Sequence, residues 1–341
     1  MVKTAVVILN WNGRAMLERF LPSVVANSAG NDTEVIVADN ASTDDSVLFM
    51  KQNYPDVRLI VLDRNYGFAE GYDRALEQVK ADYYVLLNSD VEVTPGWVDV
   101  LSDYLDSHSD VAACQPKLLD YKNKDMFEYA GGAGGFMDSY GYMFCRGRVF
   151  DSIEKDEGQY DSVADLFWAT GACLMVRSKD FWDAGGLDRD FFAHQEEIDL
   201  CWRLRSRGKR IVCVPSSVVY HVGGATLNKS NPFKTFLNFR NNLLMLYKNL
   251  PESDLNRIMF CRFWLDMVAL IVFVAKGQFA DAKAVSKARR EFRRMKPAFA
   301  VKRSDNMKNA VLTDIPERFG FLLIIKYHVA GRKTYSALIG K

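Results

Sequence analysis

Short apolar runs alternate with amphipathic stretches through the first hundred residues. Thr4 to Asn10 is apolar and β-branched, the pattern of a buried strand, and Asn12-Gly13 breaks it. Arg14 to Ala26 then places Met16, Leu17, Phe20, Leu21 and Val24 at helical spacing. Glu34 to Ala38 reads as a second strand ending at Asp39, and Asp44 and Asp45 are N-cap candidates for the helix that follows. Val57 to Leu62 and Tyr83 to Leu87 read as the third and fourth strands. Helices are expected over Phe68 to Val79 and from Pro95 through Leu105. This alternation predicts an α/β fold, a mostly parallel sheet with helices on both faces. In such sheets ligands bind beyond the carboxyl ends of the strands. The polar, turn-forming residues there are Asn10, Asp39, Asn65 and Asn88 to Asp90, which are therefore expected to be functional.

From about Ala112 the pattern loosens. Gly131, Gly132, Gly134 and Gly135 lack the strand-before, helix-after context of a dinucleotide fingerprint and read as a flexible loop. Ala169 to Val176 reads as a strand and Lys179 to Ala184 as a short helix. Glu196 to Ser206 reads as a helix stopped by Gly208. Ile211 to Pro215 and Val218 to Val222 read as two further strands. Beyond about Ser230 the pattern is mostly helical, so the expected division is an α/β domain over 1–230 and a helical region over 231–341.

The net charge of +1 gives no support to a nucleic-acid partner. The charge is uneven, however, with a dense cationic run at Lys287, Arg289, Arg290, Arg293, Arg294 and Lys296. That run is either a solvated helix face or a surface drawn to an anionic membrane. Ile258 to Ala275 is the most apolar stretch, but it contains Arg262 and Asp266 and falls short of the roughly 20 apolar residues of a membrane span. It reads as a core helix or as a helix lying in the membrane interface. The six cysteines form no CxxC pair and read as buried free thiols in a reducing compartment. Met1 to Asn10 leads straight into a strand and turn without a signal peptide, so a cytoplasmic address is expected.

Three groups carry candidate chemistry. Asp90, with Asn88 two residues before it at a strand end, offers oxygen ligands suited to Mg²⁺ or Mn²⁺, which commonly share such ligands with phosphates; an N-capping aspartate in a turn would look the same. His221 ends an apolar run and can ligate a Mn²⁺-like metal or serve structurally. Glu196, Glu197 and Asp199 crowd three carboxylates into four residues, which raises their proton affinities and makes one of them a candidate general base; a helix start favoured by the macrodipole is the alternative.

Together these segments resemble glycosyltransferase family 2, in the branch that includes bacterial rhamnosyltransferases of polysaccharide assembly. The resemblance rests on Asn10-Trp11-Asn12-Gly13, Asp39-Asn40-Ala41-Ser42-Thr43-Asp44, Asn65-Tyr66-Gly67-Phe68-Ala69, Leu87-Asn88-Ser89-Asp90, Thr170-Gly171-Ala172, Glu196 through Arg203, and His221. It covers about Val2 to Thr226, with these pieces in the expected order. It implies the GT-A fold and an inverting transfer from a nucleoside-diphosphate sugar, dTDP-rhamnose favoured, to a glycan or lipid-linked acceptor. Asn10, Asn12, Asp39, Asn65, Gly67 and Asn88 would line the nucleotide cleft. Asp90 and His221 would hold a divalent cation, Mn²⁺ or Mg²⁺. Glu197 falls where the family usually has an aspartate base, with Glu196 and Asp199 as substitutes. Asn88 stands in place of a carboxylate and Asp73 where the family often has asparagine. A peripheral position on the inner face of the cell membrane and a homo-oligomer fit the same picture.

Two rival functions share parts of it. A nucleotidyltransferase should carry a glycine-rich phosphate loop with a basic residue after the first strand, and Asn10-Trp11-Asn12-Gly13-Arg14 matches that poorly. The departures at Asn88 and Glu197 would also suit an inactive sugar-nucleotide-binding scaffold.

Overall fold

The computed structural model describes residues 2–28, 30, 32–223 and 231–340. The first third alternates as its pattern predicts: β1 (Val2–Asn10), α1 (Arg14–Ser28), β2 (Thr33–Asp39), α2 (Ser46–Asn53), β3 (Arg58–Val61), α3 (Gly67–Leu76), β4 (Ala81–Leu87), β5 (Val91–Val93) and α4 (Trp97–Ser107). A strand-rich middle follows, with β6 (Val111–Asp120), β7 (Gly135–Asp138), β8 (Met143–Cys145), β9 (Arg148–Val149), β10 (Ser152–Ile153), β11 (Ala164–Asp165) and β12 (Cys173–Arg177). Then come α5 (Ser178–Asp183), α6 (Glu196–Ser206), β13 (Arg210–His221), α7 (Pro232–Asn249), α8 (Glu252–Ala275), α9 (Phe279–Asn309), β14 (Arg318–Phe319) and α10 (Tyr335–Ile339).

The main sheet has the order β11-β13-β6-β12-β4-β1-β2-β3, with β5 added on β13. Strands β4, β1, β2 and β3 are parallel. β12 is antiparallel to both β4 and β6, so β6 and its parallel neighbour β13 run with β1. Asn10, Asp39, Asn88 and His221 thereby come to the same edge of the sheet. Successive side chains of a strand point to opposite faces. Val6 and Ile8 accordingly pack with Leu17 and Leu21 of α1 and Leu101 of α4. Ala5 and Val7 share the other face with Ala69, Tyr72 and Ala75 of α3.

Two local readings change. The two strands expected over Ile211 to Pro215 and Val218 to Val222 are one, β13 (Arg210–His221), because a register shift between Val214 and Val218 lets the ladder pass Pro215. Proline cannot donate to the ladder, and a bulge absorbs it. The glycine cluster at 131–135 is close-packed, not a flexible loop. A Cβ on Gly135 would lie 2.1 Å from the Trp168 indole and one on Gly131 2.6 Å from Thr170 Cγ2, so these glycines permit backbone contact with large side chains.

The chain beyond residue 231 shares the core of the sheet. Leu243 to Leu246 of α7, Phe299 of α9, Leu323 and Leu338 belong to the cluster that contains Ala5 and Val7. β14 pairs with β7 through Arg318–Met137 and Phe319–Asp138, extending a small second sheet of order β10-β9-β8-β7-β14.

Candidate active site

The loops after β1 and β2 are tied side by side. Asn10 and Asp39 are register partners at the strand ends. Asn10 Nδ2 donates to Asp39 Oδ2 (3.0 Å) and to Ser42 Oγ (3.2 Å), while the Ser42 N–H donates to Asp39 Oδ1 (2.8 Å). Asn12 adopts a left-handed φ of 50°, which asparagine tolerates, and its Oδ1 accepts from the Thr43 N–H at 2.7 Å. Buried Asn40 bridges to the next strand end: its N–H donates to Asn10 O (2.8 Å) and its Nδ2 to Asn65 Oδ1 (3.2 Å). Asn65 Oδ1 also accepts from the Gly67 N–H (2.8 Å). Gly67 has φ +76°, and a Cβ there would sit 2.4 Å from the Phe192 ring, so this turn requires glycine. Asn10, Asn12, Asp39, Asn65 and Gly67 thus form one continuous polar wall. Asn10 Oδ1 remains a buried acceptor without a partner.

At the other side of β4, Asp90 and His221 meet. His221 Nε2 lies 3.1 Å from Asp90 Oδ1 and 3.5 Å from Asn88 Nδ2. Its Nδ1 lies 3.2 Å from Glu128 Oε1. All three of Asp90, Glu128 and His221 are buried. Burial works against a charged imidazole, but the Glu128 and Asp90 carboxylates outweigh it and push the His221 pKa up to about 10.

The carboxylate run divides by helical phase. Asp199 is fully buried and faces α7. Its oxygens take Arg203 Nε (2.9 Å), Lys248 Nζ (2.8 Å) and Asn249 Nδ2 (2.8 Å), so it is not brought to the strand-end groups. Glu196 and Glu197 each keep an Oε2 that is buried and partnerless. Burial, reinforced by Glu197, raises the Glu196 pKa well above the carboxylate range, and burial pushes Glu197 up to about 7. Gly171 lies against the Glu197 side chain. Ala172 O, the next carbonyl, accepts from the Asn88 N–H at 3.0 Å. Thr170-Gly171-Ala172 therefore links Glu197 to the Asp90–His221 pair. Asp73 is a brace: its Oδ1 accepts from the Leu187 N–H (3.0 Å), and its Oδ2 pairs with Arg189 Nε (3.3 Å).

Three contributors escaped sequence reasoning. Glu128 is 93 positions from His221 and carries no local motif. Arg240 and Asn241 of α7 clamp the segment that leads into α6, where Phe192, His194 and Gln195 all adopt positive φ. Asn241 Nδ2 lies within reach of the carbonyls of Phe191 (3.0 Å), Ala193 (2.8 Å) and His194 (2.7 Å), and Arg240 Nη2 donates to Phe191 O (2.8 Å). Their only signal is a polar Arg-Asn-Asn run immediately before the apolar Leu243 to Leu246 stretch.

The family described as "Glycosyl transferase family 2" matches residues 5–143, which hold the polar wall and Asp90. The chain carries a glycosyltransferase family 2 domain. The chain is 29% identical over 234 residues to an N-acetylglucosaminyl-diphospho-decaprenol L-rhamnosyltransferase of Mycobacterium tuberculosis, covering 63% of this chain and 75% of that protein. It is 27% identical over 215 residues to the rhamnosyltransferase WbbL of Escherichia coli K12, covering 60% of this chain and 79% of that one. Among solved structures, GalNAc-T7 with UDP, GalNAc and Mn²⁺ shares the fold at a TM-score of 0.57 and 16% identity. That match takes in 73% of this chain and 48% of GalNAc-T7, so the chain spans about half the length of that neighbour. The S. aureus TarS fragment 1–349 with UDP-GlcNAc shares the fold at a TM-score of 0.54 and 14% identity, with 90% of this chain and 89% of that one covered. The glycosyltransferase domain is thus a GT-A fold whose strand-end edge carries the residues described above.

Proposed function

We propose that this glycosyltransferase moves a sugar, rhamnose first among the candidates, from a nucleoside-diphosphate donor to a hydroxyl of a glycan or lipid-linked acceptor, with inversion at the anomeric carbon. The observation that carries the proposal is the linkage of Glu197 to the Asp90–His221 pair through Gly171, Ala172 and Asn88. A base and an anion-stabilising site on opposite sides of one reacting carbon are what a single displacement requires. Glu197, with a pKa near 7 and a partnerless oxygen, takes the proton of the attacking acceptor hydroxyl. The new C–O bond forms as the anomeric carbon–diphosphate bond breaks, and that electron pair leaves on the diphosphate. Burial and the neighbouring Glu197 both favour the protonated form of Glu196, which makes Glu197 the better candidate for the base. Asn10, Asn12, Asp39, Asn65 and Gly67, joined in one polar wall at the strand ends, would receive the nucleotide.

Asp90 and His221 would hold a divalent cation such as Mn²⁺ or Mg²⁺, with the ion displacing the proton that Asp90 and Glu128 keep on the imidazole. Asp90 Oδ1 and His221 Nε2 converge at 3.1 Å, an oxygen and imidazole donor set of the kind Mn²⁺ accepts. Glu128 on the far ring nitrogen is the carboxylate that commonly fixes the orientation of a metal-bound histidine. When bound, such an ion supplies charge stabilisation to the departing diphosphate. The rhamnosyltransferase relatives support the choice of donor sugar, and the decaprenol-linked acceptor in one relative's name supports a lipid-linked acceptor. A cytoplasmic setting, peripheral to the inner face of the cell membrane, goes with that acceptor.

The anomeric configuration of the product tests the reading. Transfer from dTDP-β-L-rhamnose is expected to give only the α-linked product, seen by its anomeric carbon–proton coupling in NMR. A β-linked product would require two displacements and a covalent intermediate, and would remove Glu197 from the role of base.

A further inference from the structure

Helix α8 is turned inside out. It is the one helix among the described residues long and apolar enough to cross a membrane, yet most of its apolar surface faces outward. Phe260 is 64% exposed, Trp264 57%, Val268 57% and Ile271 63%. Their spacing puts them on one helix face, and Val272 and Val274 extend it. The charges that interrupt this stretch face inward instead. Arg262 Nη2 pairs with Asp266 Oδ1 at 3.0 Å, Arg262 Nη1 donates to Tyr140 O at 2.8 Å, and Arg289 of α9 closes on the other oxygen of Asp266. The protein thus neutralises Arg262 and Asp266 internally and presents the apolar residues between and beyond them. Single exposed apolar residues are ordinary, whereas a continuous face with two aromatics marks a contact surface.

Charge chooses the occupant. On α9, which turns back along α8, Lys283, Lys287, Arg290, Arg293 and Lys296 are all exposed. The one acid in that stretch, Glu291, is paired with Arg294. An anionic bilayer surface supplies both an apolar boundary and countercharge. A second copy of this chain would supply the apolar surface but add more positive charge. The position also fits. Thr235 near the start of α7 donates to Asp281 near the start of α9 (2.6 Å), and Phe233 beside it contacts the Phe192 ring (6.4 Å) that covers Gly67. The α8–α9 turn therefore lies at the end of α7 nearest the cleft.

We propose that the α8–α9 hairpin docks in the plane of an anionic membrane, with the Phe260–Ile271 face of α8 in the boundary between headgroups and acyl chains and the α9 cations on the headgroup phosphates. Its purpose rests on the lipid-linked acceptor proposed above, because docking would hold the cleft beside that acceptor; the contact itself does not depend on that reading. Arg289 and Arg294 are excluded from it, since both are held in ion pairs.

The test is flotation of the full chain with vesicles of phosphatidylcholine, with and without phosphatidylglycerol. Binding is expected to the anionic vesicles at low salt and to weaken as salt screens it. Lys283→Glu with Arg290→Glu and Arg293→Glu should lower that binding at least about tenfold, and Phe260→Ser with Trp264→Ser should remove it. Donor hydrolysis in solution should be unchanged in both variants, which separates this proposal from the functional one. No binding by the wild type, equal binding by the charge-reversed variant, or a dimer in sedimentation that dissociates on Phe260→Ser with Trp264→Ser would each overturn the membrane assignment.

Discussion

Replacing Glu197 with glutamine is expected to lower turnover by about 10²-fold or more, the usual scale of a general base, while donor affinity stays near that of the wild type. The amide keeps the size of the side chain and its place against Gly171 but cannot take the acceptor proton. The pH profile follows from the same group. Burial pushes the Glu197 pKa up to about 7, so the wild-type rate should rise with pH through 7 as the carboxylate forms, and Glu197→Gln should lose that limb. Stability should move the other way. The folded pKa lies above the ordinary carboxylate value, so ionising Glu197 costs folding free energy as pH rises from the ordinary range through 7. Glu197→Gln removes that cost and should unfold at higher denaturant than the wild type at neutral pH. Asp199→Asn is the control. Asp199 sits among Arg203, Lys248 and Asn249, so its neutralisation should lower the unfolding midpoint and leave the pH profile in place. If Asp199→Asn removed the pH-dependent limb and Glu197→Gln kept it, the base would be misassigned.

Removing the Asp90 carboxylate is the second large effect expected. Asp90→Ala should cost about 10² to 10³ in turnover, the scale of a lost electrostatic stabiliser of a leaving group. It should also abolish the strengthening of nucleoside-diphosphate binding by Mn²⁺, measured by titration calorimetry with and without the ion. EDTA should silence the wild type, and Mn²⁺ or Mg²⁺ should restore it. Full turnover in EDTA would contradict a metal at Asp90 and His221 and would leave their 3.1 Å contact as a structural ion pair.

The residues at strand ends were legible because the parallel sheet gives them a common address. Alternating apolar runs fix where each strand stops: Asn10 and Asp39 close β1 and β2, and Asn65 and Asp90 follow β3 and β4. The choice between Glu197 and Asp199 was not legible. Residues two apart on a helix point roughly 200° away from each other, and the sequence does not say which phase faces the cleft; only the packing of α7 against Asp199 does. Glu128 was hidden because its partner is brought in by β13 from a distant stretch of chain. Arg240 and Asn241 were hidden because their targets are backbone carbonyls, which leave no trace in side-chain pattern. The glycines at 131–135 could be read only with Trp168 and Thr170 in place. The outward face of α8 likewise depends on inward partners, Arg289 and Tyr140, that lie on other elements.

The central claim is that one cleft joins a nucleotide-sugar site, a metal pair and a base. Release of nucleoside diphosphate, followed across a panel of donors that includes dTDP-rhamnose, with Mn²⁺ and a lipid-linked N-acetylglucosaminyl diphosphate acceptor present, tests it most directly. The expected result is acceptor-stimulated release from dTDP-rhamnose in preference to the other donors by the wild type, and almost none by Glu197→Gln or Asp90→Ala. The contradicting result is no release from any donor, or release that Glu197→Gln and Asp90→Ala sustain at the wild-type rate.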